Sequence, residues 1–288
     1  MNLTSPSQVK AWCIENGFHP NKNLGQNFLV DKNILETITQ TAGIVPGDPI
    51  LEIGPGLGVL TEAMLQAGAR VVAVEKDTRL AARLADSLGQ PANLRVIAKD
   101  ALKLDWERLL NENFKACVSN LPYSVGTRIL LDLAFRPAAP DRYVILVQTE
   151  VAERFAAAPG TPERGQAGVW LQLDYDVTLV QTVKPSCFWP RPEVDSTIVR
   201  LDRHPCTLTA KERTLYFALT RIAFMHRRKQ LGSLLRKAPP PLACDDETLL
   251  RRCADAGIDP QIRPERLTVA EWEALARQWA LGTELPTP

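Results

Sequence analysis

The sequence is short of the residues that anchor many chemistries. Three histidines (His19, His204, His226) and six cysteines (13, 117, 187, 206, 244 and 253) are scattered over 288 residues, with no C-x-x-C pair. Zinc sites draw four ligands from short paired spacings, so no metal is expected and the cysteines read as reduced thiols in or near a core. Apolar runs stop after a few residues, far below the roughly 20 that span a bilayer. The opening Met1–Gln8 lacks the basic start and apolar stretch of a signal peptide. No internal repeat or low-complexity tract occurs. A cytoplasmic protein with no membrane partner is the expectation, and a monomer is the default.

The chain does have a globular composition, 45% apolar and 23% charged. Its length suggests one large domain and one small one. The net charge of +1 names no anionic partner, but it hides an asymmetry. Pro205–Pro241 carries eight Lys and Arg against one acid, whereas 242–288 carries five basic and nine acidic side chains. A local excess of this size attracts polyphosphate. A solvated helix face would show the same pattern.

Ser5-Pro6 predicts a helix over 6–15, with serine as the cap and proline at the first position. Asp31 predicts the cap of a second helix, 34–41. Short apolar strands then alternate with helices. Strands are predicted at 50–53, 70–74, 94–98, 116–119 and 143–147, and helices at 60–67, 79–88, 128–135 and 150–157. This alternation implies an α/β fold, an open Rossmann-like parallel sheet with helices on both faces. Two β-rich runs, 177–183 and 197–201, predict an antiparallel hairpin at its edge. Beyond His204-Pro205 the pattern is helical: Thr209-Ala-Lys-Glu212 fits a capping box, and further helices are predicted at 247–256 and 269–279. The boundary is set near 204, giving 1–204 as the α/β domain with an N-terminal helical extension and 205–288 as a small all-helical domain.

The first strand runs into Gly54-Pro-Gly-Leu-Gly58, and a helix follows. Glycines let the backbone turn sharply and approach a ligand closely. The second strand leads to Glu75, where a carboxylate can accept from ribose hydroxyls. A dinucleotide fingerprint would want glycine at 59, where Val59 stands. The G-x-G-x-G spacing at 54, 56 and 58 favours S-adenosyl-L-methionine, which has no pyrophosphate to cradle. Asp100, after the third strand, could meet an adenine amino group.

Asn120-Leu-Pro-Tyr123 follows the fourth strand, at the end of an open sheet where ligands bind. Asn120 and the Leu121 carbonyl offer two acceptors, Pro122 stiffens the turn, and Tyr123 can stack on a flat ring. Two acceptors around an exocyclic amine would favour a pyramidal nitrogen whose lone pair faces a methyl donor, with no strong base required.

In this order the motifs resemble those of the ribosomal RNA adenine N6,N6-dimethyltransferase family. The match runs from about Lys22 to Leu275, through Leu24-Gly-Gln-Asn-Phe-Leu29, Leu51-Glu-Ile-Gly-Pro-Gly56, Val74-Glu75, Asp100-Ala101 and Asn120-Leu-Pro-Tyr123. Gln148-Thr-Glu-Val-Ala-Glu-Arg154, Phe188-Trp-Pro-Arg-Pro-Glu-Val-Asp-Ser196, Arg227-Arg-Lys229 and Arg263-Pro-Glu-Arg-Leu267 follow. The resemblance implies a class I methyltransferase sheet that uses S-adenosyl-L-methionine. Asn27 and Leu29 would line the cofactor entrance, Gly54 and Gly56 would approach the cofactor, Glu75 would hold its ribose and Asp100 its adenine. Asn120, Leu121 and Pro122 would present the target N6, with Tyr123 and Phe188 sandwiching a flipped adenine. Arg221, Arg227, Arg228 and Lys229 would grip RNA phosphates. The implied reaction is dimethylation of two adjacent adenines near the 3′ end of 16S rRNA, within the small ribosomal subunit or its assembly intermediate.

Three departures from the family pattern bear on the RNA contacts. Arg164-Gly165 replaces Tyr-Gly, Arg227-Arg-Lys-Gln-Leu-Gly232 replaces R-R-K-T-L-R, and Ser124-Val-Gly-Thr127 replaces an Asn-Ile-Ser turn. Competing readings are the antibiotic-resistance relative that methylates one large-subunit adenine, an assembly or transcription factor built on this fold, and a nicotinamide oxidoreductase. Val59 and the lack of a hydride-site His or Lys/Tyr pair disfavour the last.

Overall fold

The computed structural model describes residues 2–20, 25–226 and 228–282. Its α/β part begins with α1 (Pro6–Glu15), the two-residue β1 (Phe28–Leu29) and α2 (Lys32–Ala42). The Asp31 carboxylate caps α2 as expected, accepting from the Asn33 and Ile34 N–H groups. Ser5 occupies the cap position of α1, but its side chain makes no cap hydrogen bond; the hydroxyl meets that of Ser7 instead.

The alternation then unrolls as β2 (Pro49–Ile53), α3 (Val59–Gln66), β3 (Arg70–Glu75), α4 (Thr78–Ser87), β4 (Leu94–Ala98) and α5 (Trp106–Leu110). It continues with β5 (Ala116–Asn120), α6 (Gly126–Ala134), β6 (Arg142–Gln148) and α7 (Thr149–Ala156). Strands β2, β5 and β6 are buried along nearly their whole length, as expected where helices cover both faces of a parallel sheet. The seven-stranded order is β4-β3-β2-β5-β6-β9-β7, where β7 is Tyr175–Val183 and β9 is Ser196–Arg203. β6 and β9 pair antiparallel, from Arg142 opposite Asp202 to Gln148 opposite Ser196. The two late runs are therefore neighbours at the sheet edge, with β9, the later one, inside and β7 outermost. A separate ribbon pairs β1 with β8 (Phe188–Trp189), placing Leu29 opposite Phe188.

The order in which successive strands are added to the sheet reverses between β2 and β5, which run parallel. Their paired register covers only Ile50–Ala116 and Leu51–Cys117. Beyond it the Ile53 N–H donates to the Ser119 hydroxyl at 2.9 Å. A side chain thus replaces the ladder where the two strands part. This is the switch point at which open α/β sheets take ligands.

The second compact unit differs from the expected division at 204. One unit comprises Met1–Ala152 with Asp176–Arg203, the other Glu153–Tyr175 with His204–Pro288. The added piece contains α8 (Gln166–Asp174), which the sequence pattern did not reveal. Val169 and Leu173 of α8 join one core with Leu215, Tyr216, Leu219, Trp272 and Trp279, and Asp174 ion-pairs with Arg213. Shared apolar burial, rather than position along the chain, assigns α8 to the helical unit. α9 (Ala210–Met225) opens on the expected Thr209–Glu212 capping box. α10 (Leu231–Leu235), α11 (Asp246–Asp255) and α12 (Val269–Ala280) complete the unit, α12 with a second capping box at Thr268 and Glu271. No helix among the described residues is long and apolar enough to cross a membrane.

Candidate active site

The loop after β2 is shaped by its glycines. Gly54, Gly56 and Gly58 all take positive φ (71°, 58° and 90°), which side chains rarely adopt. A Cβ on Gly56 would stand 2.9 Å from the Phe28 ring. Around Gly54 the nearest atom to such a Cβ is 3.8 Å away, an ordinary contact, so here it is the positive φ that calls for glycine. Gly54 borders a cavity of about 180 Å³ lined also by Asn27, Leu29, Gly56, Glu75, Asp100 and Asn120. Every residue expected to hold the cofactor therefore meets in one place.

The acidic groups of this cavity are not equivalent. Glu75 is buried and accepts from the Gly56 N–H at 3.0 Å and the Asp77 N–H at 2.8 Å. Burial pushes its carboxyl up, and those two N–H groups pull it back in part. Its contact with Gly56 ties the end of β3 to the glycine loop. Asp100 is more open: Lys76 lies 2.9 Å away and the Leu102 N–H donates to it. The Lys76 hydrogen bond holds its pKa below the usual carboxylate range. Glu52, which sequence reasoning passed over, also lines the cavity and is 1% exposed. Its partner is the Thr61 hydroxyl at 2.6 Å, and burial lifts its pKa to about 8. Glu52 sits in the L-E-I-G-P-G motif, so an acid inside an apolar strand was the available signal.

The N-terminal helix, which had no expected role, supplies Val9 to the same cavity wall, and Leu3 ahead of it adds another side. Both are buried in a cluster with Cys13, Phe18, Phe28, Val30, Leu57 and Leu80. α1 is therefore a lining element of this cavity.

At the end of β5, the Asn120 amide NH₂ donates to the Asn27 carbonyl at 3.0 Å. This orientation leaves Oδ1 as an acceptor. The Leu121 N–H is bound to the Leu146 carbonyl at 3.1 Å, and its own carbonyl has no hydrogen-bond partner among the described residues. The Pro122 carbonyl accepts from Val125 and Gly126, closing the turn into α6. The Tyr123 hydroxyl shares a 2.6 Å hydrogen bond with Ser196. Burial raises the phenol's pKa, so it stays protonated. Leu121, Pro122 and Tyr123 line a small recess with Gly126, Thr127, Val147, Gln148 and Val151.

Phe188 is not gathered with the other expected site residues. Its ring is 2% exposed and packs in the core with Leu29, Ile34 and Ile198. It lines neither the cavity nor the recess. Pairing of β8 with β1 turns this ring inward, a consequence that local sequence cannot show.

The matched family model is ribosomal RNA adenine dimethylase, over residues 17–245. The chain belongs to that family. Similar proteins include ribosomal RNA small subunit methyltransferase A of Geobacillus thermodenitrificans, 37% identical over 96% of each chain. The protein of the same name from Bacillus cereus is 37% identical over 97% of this chain and 98% of its own. A dimethyladenosine transferase structure from Plasmodium falciparum superposes with a TM-score of 0.73 at 26% identity, covering 86% of this chain and 95% of that one. The 23S rRNA methyltransferase ErmE shares the fold, with a TM-score of 0.65 at 24% identity over 88% and 99%. The chain is thus a family enzyme with the class I methyltransferase fold, and an S-adenosylmethionine-type cofactor is implied. The cavity suits such a group: apolar walls, a glycine approach, and the buried Glu75 and more open Asp100 for a ligand carrying hydroxyls and an amine.

The dimethylase chain's departures look different in the structure. Arg164 is fully buried, and donates to the Ala157 carbonyl at 2.6 Å and to Gln172. It serves the interior of the helical unit, not its surface. Gly232 is buried too, and a Cβ there would stand 3.0 Å from Pro260 Cβ and 3.1 Å from its carbonyl oxygen. A larger residue here would require Pro260 to give by a few tenths of an ångström. Among the RNA candidates, Arg228 and Lys229 are exposed, and exposed Arg221 lies over the Trp170 ring at 5.6 Å. Arg227 lies outside the described residues. Arg213, counted in the basic stretch, is committed to Asp174, and Arg236 pairs with Asp246 at 3.0 Å.

Proposed function

We propose that this chain transfers methyl groups from S-adenosyl-L-methionine to N6 of two adjacent adenines near the 3′ end of 16S rRNA, yielding N6,N6-dimethyladenosine during small-subunit assembly. It acts in the cytoplasm as a monomer. The observation that carries this reading is the pair of open acceptors, Asn120 Oδ1 and the Leu121 carbonyl, in a turn whose Asn120 and Pro122 also line the cofactor cavity.

Gly54 and Gly56 give the cofactor backbone approach, Glu75 takes its ribose hydroxyls, Asp100 its adenine amine, and Asn27 and Leu29 bound its entrance. The bound cofactor supplies an electrophilic sulfonium methyl. An adenine N6 lone pair is delocalised into the ring. Acceptors on both N6 hydrogens in the first transfer, and on the remaining one in the second, favour the pyramidal nitrogen. Each methyl gained releases one N6 proton to solvent, so Asn120 and Leu121 work by orientation rather than by strong-base catalysis. Pro122 fixes the turn and Tyr123 stacks on the base. Phe188, enclosed in the core, is assigned the support of β1 and its Leu29. Extruding the base costs a few kcal/mol and is easiest in an unpaired loop. Arg221, Arg227, Arg228 and Lys229 are assigned to rRNA phosphates. Relatives named small subunit methyltransferase A at 37% identity support the small-subunit substrate.

The test is incubation with labelled S-adenosyl-L-methionine and small subunits lacking adenine dimethylation, followed by nuclease digestion and mass spectrometry. Dimethyladenosine at the adjacent pair is the expected product. Label confined to large-subunit rRNA would replace this substrate, and cofactor binding without transfer to either would leave an assembly factor.

A further inference from the structure

Stacking on Tyr123 sets the plane of a base but not its rotation within that plane. Two acceptors at N6 restrain one corner, and a third contact is needed to hold the ring. Gln148, the last residue of β6, is in position to make it. It is half-buried and lines the small recess with Leu121, Pro122 and Tyr123. In the β6–β9 register it stands directly opposite Ser196. Residues so paired point to one face, with Cβ atoms about 4.5–5.5 Å apart. Ser196 is the hydroxyl that holds the Tyr123 phenol at 2.6 Å, so the Gln148 amide shares the face on which that ring is fixed. Two residues earlier on the same strand, the Leu146 carbonyl receives the Leu121 N–H at 3.1 Å. One strand therefore supports the Leu121 acceptor and presents an amide beside it. That amide has no hydrogen-bond partner among the described residues.

We propose that the Gln148 side-chain NH₂ donates to ring nitrogen N1 of the target adenine and fixes its in-plane orientation, an inference that rests on the adenine-N6 reading above. N1 flanks the C6 amine and is the ring nitrogen most remote from the glycosidic bond. A base entering with its sugar toward solvent therefore carries N1 inward, whereas N7 stays nearer the entrance. Enzymes that act on flipped bases commonly read this edge by hydrogen bonds.

The experiment uses the full chain and small subunits reconstituted on rRNA whose 3′ segment is a ligated synthetic strand. That strand carries adenine, 1-deazaadenine or 7-deazaadenine at the two target positions. Wild-type protein is expected to lose about tenfold in kcat/KM on 1-deazaadenine, the value of one neutral hydrogen bond, and less than threefold on 7-deazaadenine. Gln148→Leu should lose about tenfold on adenine and nothing further on 1-deazaadenine. Gln148→Glu, which offers no donor when ionised, should fall at least as far. Cofactor Kd should stay within twofold in both variants, since Gln148 does not line the cofactor cavity.

Multiplying losses for variant and 1-deaza analogue would overturn the contact, as would coupling to 7-deazaadenine instead. A parallel loss of cofactor affinity would make Gln148 merely structural and also overturn it. Normal wild-type dimethylation with Gln148→Leu within twofold removes this proposal alone. Failure of wild-type protein on the adenine substrate removes the reading beneath it as well.

Discussion

The two loops at the switch point stand at neighbouring strand ends and are finished to different degrees. After β2, the polar groups are already paired with one another: Glu75 holds the Gly56 and Asp77 N–H groups, and Thr61 holds Glu52. After β5, one side of each group is anchored and the other left open. Asn120 donates to Asn27 but keeps its oxygen, and Leu121 donates to Leu146 but keeps its carbonyl. A site that binds a whole cofactor gains from rigid, satisfied walls. One that must hold a nitrogen while its geometry changes needs acceptors not spent on the protein.

The largest effect should follow from emptying the open side. Asn120→Ala is expected to lower kcat by at least about 100-fold, the scale for removing one positioned polar group, while cofactor binding by calorimetry remains measurable. Full methylation by this variant would erase the contrast between the loops. On the closed side, Glu75→Ala removes the proposed ribose acceptor and releases the Gly56 and Asp77 N–H groups. Cofactor Kd should rise about 10- to 100-fold, with transfer at saturating cofactor much less affected. Equal losses in both quantities would show that the two loops act as one.

Glu52 gives a pH signature. Its folded pKa, raised to about 8 by burial, lies above the unfolded carboxylate value. The folded state therefore favours the protonated acid. Its contribution is fully present below about pH 4.5 and is lost as pH rises through 8, by at most about 5 kcal/mol. Glu52→Gln should flatten the decline of Tm with pH across that window. An unchanged slope would place the ionised form in the fold. The smallest effect concerns RNA. Reversing Arg228 and Lys229 to glutamate should reduce the slope of log binding constant against log salt by about 1 to 2. An intact slope would move the phosphate contacts to another face.

Much of the closed side was readable in the chain. A strand–glycine–helix unit followed by an acid at Glu75 has few physical meanings, and the cavity gathers Gly54, Gly56, Glu75 and Asp100 as that pattern requires. The open side was readable as a turn of acceptors, but not in which acceptors were spent. Phe188 shows the limit: an aromatic in a motif reads as a stacking face, yet pairing with Leu29 turns it into the core. α1 and α8 show it too. α1 lacks strong amphipathic patterning, and its Val9 finds a purpose only against residues distant in sequence.

By itself, the sequence determined the alternating α/β frame, the helical C-terminal pattern, the Thr209–Glu212 capping box and the order of the motifs, because periodicity and turn chemistry are local. Only the tertiary structure decided that Arg164 is interior, that Gly232 is a packing residue and that α8 joins the helical unit. It alone placed Gln148 opposite the serine that holds Tyr123. These outcomes depend on which distant surfaces exclude water together and on strand register. Neither is encoded within the few residues over which local propensities act.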